Sequence, residues 1–451
     1  MISGLPQSSQ KLNSYLIKST IVAAIGGLLL GFDTAVIAGT TRDLTRIFEL
    51  SPASLGFTVS SALWGTILGA MCAGIPGDRY GRRDSLRGMA VLYLVTAIGC
   101  ALAWNWWALV SFRFIEGIAI GGSSVLGPMY IAEISPAKWR GRLVGFFQFN
   151  VVFGVLLAYL SNYVIGLAGL GDTEWRWKLG ISAIPAAFFL AMLFTIPRSP
   201  RWLVSKGRSQ EAREVLKAIG EEDFEQSLQQ IIESTNLERS GREDRLFSGQ
   251  YRAPIFLAVS IGMFNQLTGI NAILYYLNSI FENAGFSKVS GDMQSVAVGG
   301  TNLLFTMIAM SVIDRFGRKI LLLAGSIGMA LCLGGVAAIF FLGTHRQLLV
   351  WLLMGYIAAF GFSQGAVIWV YLSEVFPNRV RAKGQSLGSS AHWVMNAFIS
   401  GIFPVMAASS GGFPFIFFAV MMVIQFFVVL WWYPETKDIS LEQVQKRMGI
   451  A

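Results

Sequence analysis

Charge is scarce in this chain. Only 14% of its residues are Asp, Glu, Lys or Arg, against roughly 25% in soluble domains. Two histidines and three cysteines are the whole supply of soft metal ligands. Cys72, Cys100 and Cys332 all lie inside apolar runs, and no Cys/His spacing suits a metal, so neither a disulfide framework nor a metal centre is expected. No G-x-x-x-x-G-K-[ST] loop is present, which removes ATP-driven pumping, and no nucleophile–base constellation stands out, which removes a membrane enzyme. No cofactor is expected. A cleavable leader is not expected either: residues 1–18 are polar, and the apolar run after them is long enough to remain in a bilayer.

What is present is apolar. Hydrophobic residues make up 54% of the 451, in stretches that match the roughly 20 helical residues needed to cross about 30 Å of hydrocarbon. Six spans are expected near 19–39, 55–77, 85–103, 107–134, 141–166 and 177–196. Six more fall near 253–282, 291–313, 319–343, 347–375, 384–408 and 411–433. The fold class is therefore an all-α membrane protein, with twelve transmembrane helices in two six-helix halves. The domain limits read as 1–196 for the first half, 197–250 for a linker, 251–434 for the second half and 435–451 for a tail. The linker is rich in Glu, Arg, Gln and Lys and carries one helix-like stretch from Ser209 to Glu233.

The net charge of +9 is a topology signal rather than a nucleic-acid footprint, because the cations cluster in short loops. One side collects Arg79, Arg82, Arg83 and Arg87, then Lys138, Arg140 and Arg142, then Arg315, Arg318 and Lys319, then Arg379, Arg381 and Lys383. The other side holds scattered cations such as Arg42, Arg46, Lys288 and Arg346. Both termini and the linker are thus expected on the cytoplasmic side of the cell (inner) membrane.

The halves repeat one another. Asp78-Arg79-Tyr80-Gly81-Arg82-Arg83 follows span 2, and Asp314-Arg315-Phe316-Gly317-Arg318-Lys319 follows span 8. Tyr130-Ile131-Ala132-Glu133 with Pro136 and Arg140 matches Tyr371-Leu372-Ser373-Glu374 with Pro377 and Arg381. Two parallel repeats facing each other build a site at their interface near the midplane, and rocking one against the other opens it to alternate sides. Asp78 and Asp314 sit where a carboxylate steadies a helix N-terminus. Glu133 and Glu374 lie within reach of Arg82, Arg318, Arg140 and Arg381, a lattice that can latch the cytoplasmic side or serve only topology and solubility.

These pieces stand in the order GFDTAVIAG (31–39), GIPGDRYGRR (74–83), PMYIAEISPAKWRGRL (128–143), PRSPRWL (197–203), QLTGIN (266–271), DRFGRK (314–319), SEVFPNRVRAKG (373–384) and PETK (434–437). The ordered set resembles the sugar porter family of the major facilitator superfamily over nearly the whole chain, with the bacterial proton–sugar symporters nearest. The resemblance implies a secondary transporter that imports a small sugar or polyol by proton symport. Its partners would be that solute, a proton and membrane lipid, with no nucleic acid, and it would act as a monomer. A passive uniporter and a transporter-like sensor are the competing readings. Residues 434–451 are short for a sensor's tail.

Asp33 stands mid-span with no other charge in its run, where an ionised carboxylate costs several kcal/mol unless paired or protonated. The resemblance makes Asp33 the proton acceptor and Arg113 its responder, and facilitators of the family commonly lack that acid. Glu116 lies three residues after Arg113 on one helix face, where the family has a small residue; it can pair with Arg113, titrate, or sit near the outer end. Ser182 stands where symporters sometimes carry a second acid in span 6.

Amides offer donor and acceptor to sugar hydroxyls, and aromatic rings cover C–H faces. By resemblance Gln266, Asn271, Asn302, Trp369, Phe32, Tyr275, Tyr276 and Trp393 are contact positions, each of which can instead be interhelical packing. Gly365, with Gly361, can soften span 10 beside Trp369. Three departures bear on the cargo: Val155 replaces a glutamine, Asn265 replaces the first of two glutamines, and His392 replaces an amide.

Overall fold

Short polar side chains mark where the long helices begin. Asn13, Ser51, Asn105 and Ser287 each accept a hydrogen bond from a backbone N–H in the first turn that follows, which satisfies donors that have no partner inside the helix. The computed structural model describes residues 13–136, 138–221, 223–240, 246–377 and 380–437, and no side chain at 236–240, 312–314 or 382. The Asp314 side chain, Arg379 and tail residues 438–451 therefore lie outside the described residues.

The first half runs α1 (Ser14–Val36), the short α2 (Thr41–Ile47), α3 (Pro52–Cys72), α4 (Gly74–Tyr80), α5 (Arg82–Ala101), α6 (Trp106–Ile134) and α7 (Arg140–Leu167). Its sixth span is α8 (Glu174–Gly180) continued by α9 (Ala183–Met192). The linker holds α10 (Pro200–Ser205), α11 (Ser209–Ala218) and α12 (Phe224–Ser240). The second half opens with α13 (Arg252–Leu267), α14 (Ile270–Tyr275) and α15 (Leu277–Asn283), then α16 (Lys288–Phe316) and α17 (Arg318–Leu342). It closes with α18 (Leu348–Phe362), α19 (Gln364–Glu374), α20 (Arg381–Ser409) and α21 (Phe413–Trp432). Among the described residues twelve spans are long and apolar enough to cross a membrane, as expected.

Several boundaries differ from the sequence reading, each for a local reason. The helix expected over 209–233 is two helices, because Gly220 takes φ +80° after α11 and reverses the chain. Span 7 is not continuous: Gly269, at φ +83°, separates α13 from α14. Span 10 breaks at Ser363, whose backbone leaves the helical region (φ −118°, ψ −90°) while its hydroxyl donates to the Ala359 carbonyl at 2.6 Å. Span 2 ends at Cys72 and resumes as α4, not as one helix to 77.

Within the halves α3 packs on α6, α1 on α7 and α17 on α21; across them α3 meets α20 and α7 meets α16. Those two cross-half contacts exchange under the sequence repeat. Outward faces stay apolar, with Val91, Val95 and Ile98 on α5 and Val420, Val423 and Ile424 on α21 exposed. A belt of that kind is stable only against lipid. Trp104, Trp107, Trp177 and Trp351 at one end and Trp431 and Trp432 at the other are exposed too, as interfacial tryptophans are.

The buried apolar residues form a revealing pattern. At the end away from the linker, one cluster joins both halves, running from Ile37, Val59 and Trp175 to Ile273, Phe281 and Phe403. At the linker end the cores are separate: one of the first half with the linker, around Tyr130, Phe189 and Trp202, and one of the second half, around Leu257, Tyr371 and Phe376.

Candidate functional site

Three ionisable side chains from two helices meet near the middle of the first half. Arg113 Nη1 donates to Asp33 Oδ1, across from α6 to α1, and lies 3.0 Å from Glu116 Oε2 on its own helix. Asp33, Arg113 and Glu116 are 7%, 2% and 3% exposed, so each would be costly alone. The i,i+3 spacing puts Glu116 beside the guanidinium, so it pairs with Arg113 rather than lying apart near the outer end. Two carboxylates on one guanidinium leave the group one positive charge short of balance, and a proton can supply it. Ser182 of span 6 is buried, and its hydroxyl donates to the Leu179 carbonyl.

Asp33 and Arg113 border a narrow crevice of about 10 Å³, room for about one water, whose walls also include Thr34, Tyr275 and Trp393. Tyr275 comes from α14 and Trp393 from α20, so this crevice joins the two halves. The Tyr275 hydroxyl accepts from Asn396 Nδ2 at 3.4 Å.

A second polar group lies in the other half. Gln266 Nε2 is 3.0 Å from Asn265 Oδ1 and 3.3 Å from the His392 ring, and Asn271 Nδ2 donates to Gln266 Oε1 at 3.1 Å. Rings frame it: His392 sits 5.4 Å from Trp369 and 5.3 Å from Trp393, centre to centre. Trp369 stays 42% exposed, a large apolar surface left open. Gly365 lies two residues past the break at Ser363 and four before Trp369. The remaining expected contacts are less open. Asn302 is buried on α16 and makes no hydrogen bond to this group among the described residues. Phe32 and Val155 pack in the core shared by both halves, and Tyr276 stacks on Phe403 with its hydroxyl on the Ser400 carbonyl at 3.0 Å.

At the linker end the repeated motifs form two matching lattices. Arg82 Nε lies 2.9 Å from Glu133, which also accepts from the Ser199 hydroxyl. Arg318 Nη2 lies 3.0 Å from Glu374, which accepts from Thr436 at 2.6 Å. Tyr130 donates to the Pro197 carbonyl and Tyr371 to the Pro434 carbonyl, at 2.8 and 3.2 Å. PRS of the linker and PET of the tail therefore dock alike, and Trp202 seals the first site through Asp78 O at 3.0 Å. Asp78 itself pairs with Arg82 at 2.9 Å. Arg140 and Arg381 bond backbone carbonyls, Ala132 and Phe376 respectively, rather than the glutamates. Each of these pairs ties elements within one half or binds linker or tail to it, so none of them bridges the halves among the described residues.

The opposite end carries what the sequence reading passed over. Lys288 Nζ lies 2.9 Å from Glu174 and 3.6 Å from Asp43; Lys178 Nζ lies 2.7 Å from Glu174 and 3.8 Å from Asp292. Arg42 approaches Glu282 at 3.6 Å, and Thr41 and Ser279 share a 2.9 Å hydrogen bond. Burial pushes the Glu282 carboxyl above the usual range, against the pull of Arg42. The Tyr159 hydroxyl donates to the Leu274 carbonyl at 2.7 Å. Most of these bonds cross between halves. The readable signal was two i,i+4 pairs, Glu174/Lys178 and Lys288/Asp292, in the outer turns of spans 6 and 8.

Known proteins share this architecture. The family model described as "Sugar (and other) transporter" matches residues 19–447. The chain is 37% identical to the D-xylose-proton symporter of Escherichia coli strain K12, over 97% of this chain and 96% of that protein. It is 35% identical to the arabinose-proton symporter of Bacillus subtilis strain 168, over 96% and 95%. Its structure is similar to the inward-open conformation of the xylose transporter from E. coli, with a TM-score of 0.86 and 35% identity over 96% of this chain and 100% of that one. For the proton:xylose symporter bound to 6-bromo-6-deoxy-D-glucose the TM-score is 0.76, at 35% identity over 96% and 99%.

Proposed function

The chain belongs to the sugar transporter family, and from that premise we propose that it imports a small sugar or polyol with a proton by alternating access. It is an integral membrane protein whose work is transport, not catalysis. The linker end faces the cytoplasm of a cell membrane, because that end gathers the loop cations. One chain contains both walls of the site, so a monomer with its surrounding lipid suffices, and no nucleic acid is involved.

The observation that supports this most directly is the shared crevice. Asp33 and Arg113 line it from one half, and Tyr275 and Trp393 from the other. Proton loading of Asp33 from outside removes its half of the pairing with Arg113. Glu116 keeps the guanidinium neutralised meanwhile, so no bare cation is left in low dielectric. Release of the proton inward restores the Asp33–Arg113 bond present here. The sugar is held by Gln266, Asn271 and Asn302 over Trp369 and Trp393, with His392 beside Gln266 setting which hydroxyl pattern fits.

Asp33→Asn in proteoliposomes tests the coupling. Accumulation driven by a proton gradient should vanish while sugar counterflow continues. Undiminished gradient-driven accumulation by the variant would overturn the assignment. Counterflow against hexoses, pentoses, polyols and inositols then names the cargo.

A further inference from the structure

We infer that Lys178 is a positioning residue of the outer gate: a buried lysine that holds the two halves closed on the side away from the linker through Asp292 and, by way of Glu174, Lys288. This rests on the alternating-access reading above and adds to it residues with no part in sugar or proton binding.

Lys178 is fully buried, at 0% exposure, and Glu174, Asp292 and Asp43 are 3%, 3% and 5% exposed. Its ammonium has three acceptors around it: Glu174 Oε1 at 2.7 Å, the Gly39 carbonyl at 3.0 Å and Asp292 Oδ2 at 3.8 Å. The first two belong to its own half, and Asp292 belongs to α16 of the other. Asp292 is steadied in turn by Asn278, whose amide donates to it and whose oxygen accepts from Ser295 at 3.1 Å. Lys288, one turn before Asp292, reaches back to Glu174 and Asp43. The two i,i+4 pairs thus interlock: Glu174 is shared by both lysines, one from each half.

Opening this end must pull α16 away from α8, separating Lys178 from Asp292 and Lys288 from Glu174 and Asp43. Removing one member of a buried ion pair strands the others in low dielectric. Without Lys178, Glu174, Asp292 and Asp43 are left in the closed form with Lys288 and, on Asp43 alone, the Arg46 guanidinium at 3.9 Å, whereas water can solvate them in the open form. Lys178 therefore biases the carrier toward the form closed at this end, the form seen here.

A cysteine placed at Ser279, beside Thr41 in the closed gate, reads this directly with a membrane-impermeant thiol reagent once the exposed Cys72 is replaced by serine. Lys178→Met should raise the labelling rate at least tenfold, and Lys178→Arg should return it toward the native value. Asp292→Asn, which keeps shape and removes the cross-half charge, should raise it severalfold. Should Lys178→Met fail to fold, Asp292→Asn and the partly exposed Lys288→Met decide the matter. Native labelling rates in folded variants at both positions 178 and 292 would overturn the gate. Labelling needs no sugar, so its outcome is independent of counterflow: a carrier that fails every counterflow assay yet shows these labelling changes loses its transport reading and keeps its gate.

Discussion

The two ends of this protein carry comparable charged networks, yet they are put to opposite use. At the linker end Arg82–Glu133 and Arg318–Glu374 each stay inside one half, and the apolar cores behind them are separate. At the far end Lys288–Glu174, Lys178–Asp292 and Arg42–Glu282 cross between halves over a single joined core. The motif-rich end is thus the open one, and the end with no recognisable motif does the closing. Motifs report what both repeats need in common; the bonds that distinguish one conformation from another involve residues that have no counterpart in the repeat.

Three variants sharpen or break this contrast, all read with the Ser279→Cys reporter. The largest effect is expected for Glu133→Gln with Glu374→Gln. Hydrogen bonds to charged groups contribute about 1.5–3 kcal/mol each, and these glutamates also tie down Ser199 and Thr436. Because both pairs stay inside one half, their loss should loosen the docked linker and tail and slow transport at least tenfold while far-end labelling does not rise. A rise like that of Lys178→Met would mean the ends are not distinct. Next comes Tyr159→Phe, which removes one neutral cross-half hydrogen bond of about 1 kcal/mol; far-end labelling should increase roughly fivefold, and no change would remove that bond from the gate. The smallest is Arg42→Ala. The Arg42 side chain is 61% exposed, and such pairs contribute about 0.5 kcal/mol, so a roughly twofold increase is expected. A tenfold increase there would move the centre of the gate to the rim.

Much of the fold was legible because the bilayer imposes it: span length, the cation side and the internal repeat follow from hydrocarbon thickness and composition. The buried trio was legible in part, since a lone Asp33 in an apolar run demands a partner and Arg113 was the one at hand. Breaks inside spans were not. Gly269 and Ser363 interrupt helices whose hydropathy is continuous, so the apolar signal runs straight across them. Lys178 was hidden for a related reason. In EWRWKLG it resembles any lysine flanking a span, and its cross-half partner, Asp292, is contributed more than a hundred residues later. Tyr276, assigned to the solute by resemblance, turns its hydroxyl to the Ser400 carbonyl instead, a choice that only packing makes.

The joined core at the far end also has a calorimetric meaning. Parting the halves there wets apolar surface around Ile37, Ile273 and Phe403, while the opposite end closes over carboxylates and guanidiniums. Wetting apolar surface raises heat capacity, and burying polar surface does not offset that rise. The two access states of this carrier therefore differ in heat capacity. Because apolar association weakens on cooling, the balance between them drifts in the cold toward the form open at the end away from the linker, without any change in sugar or proton.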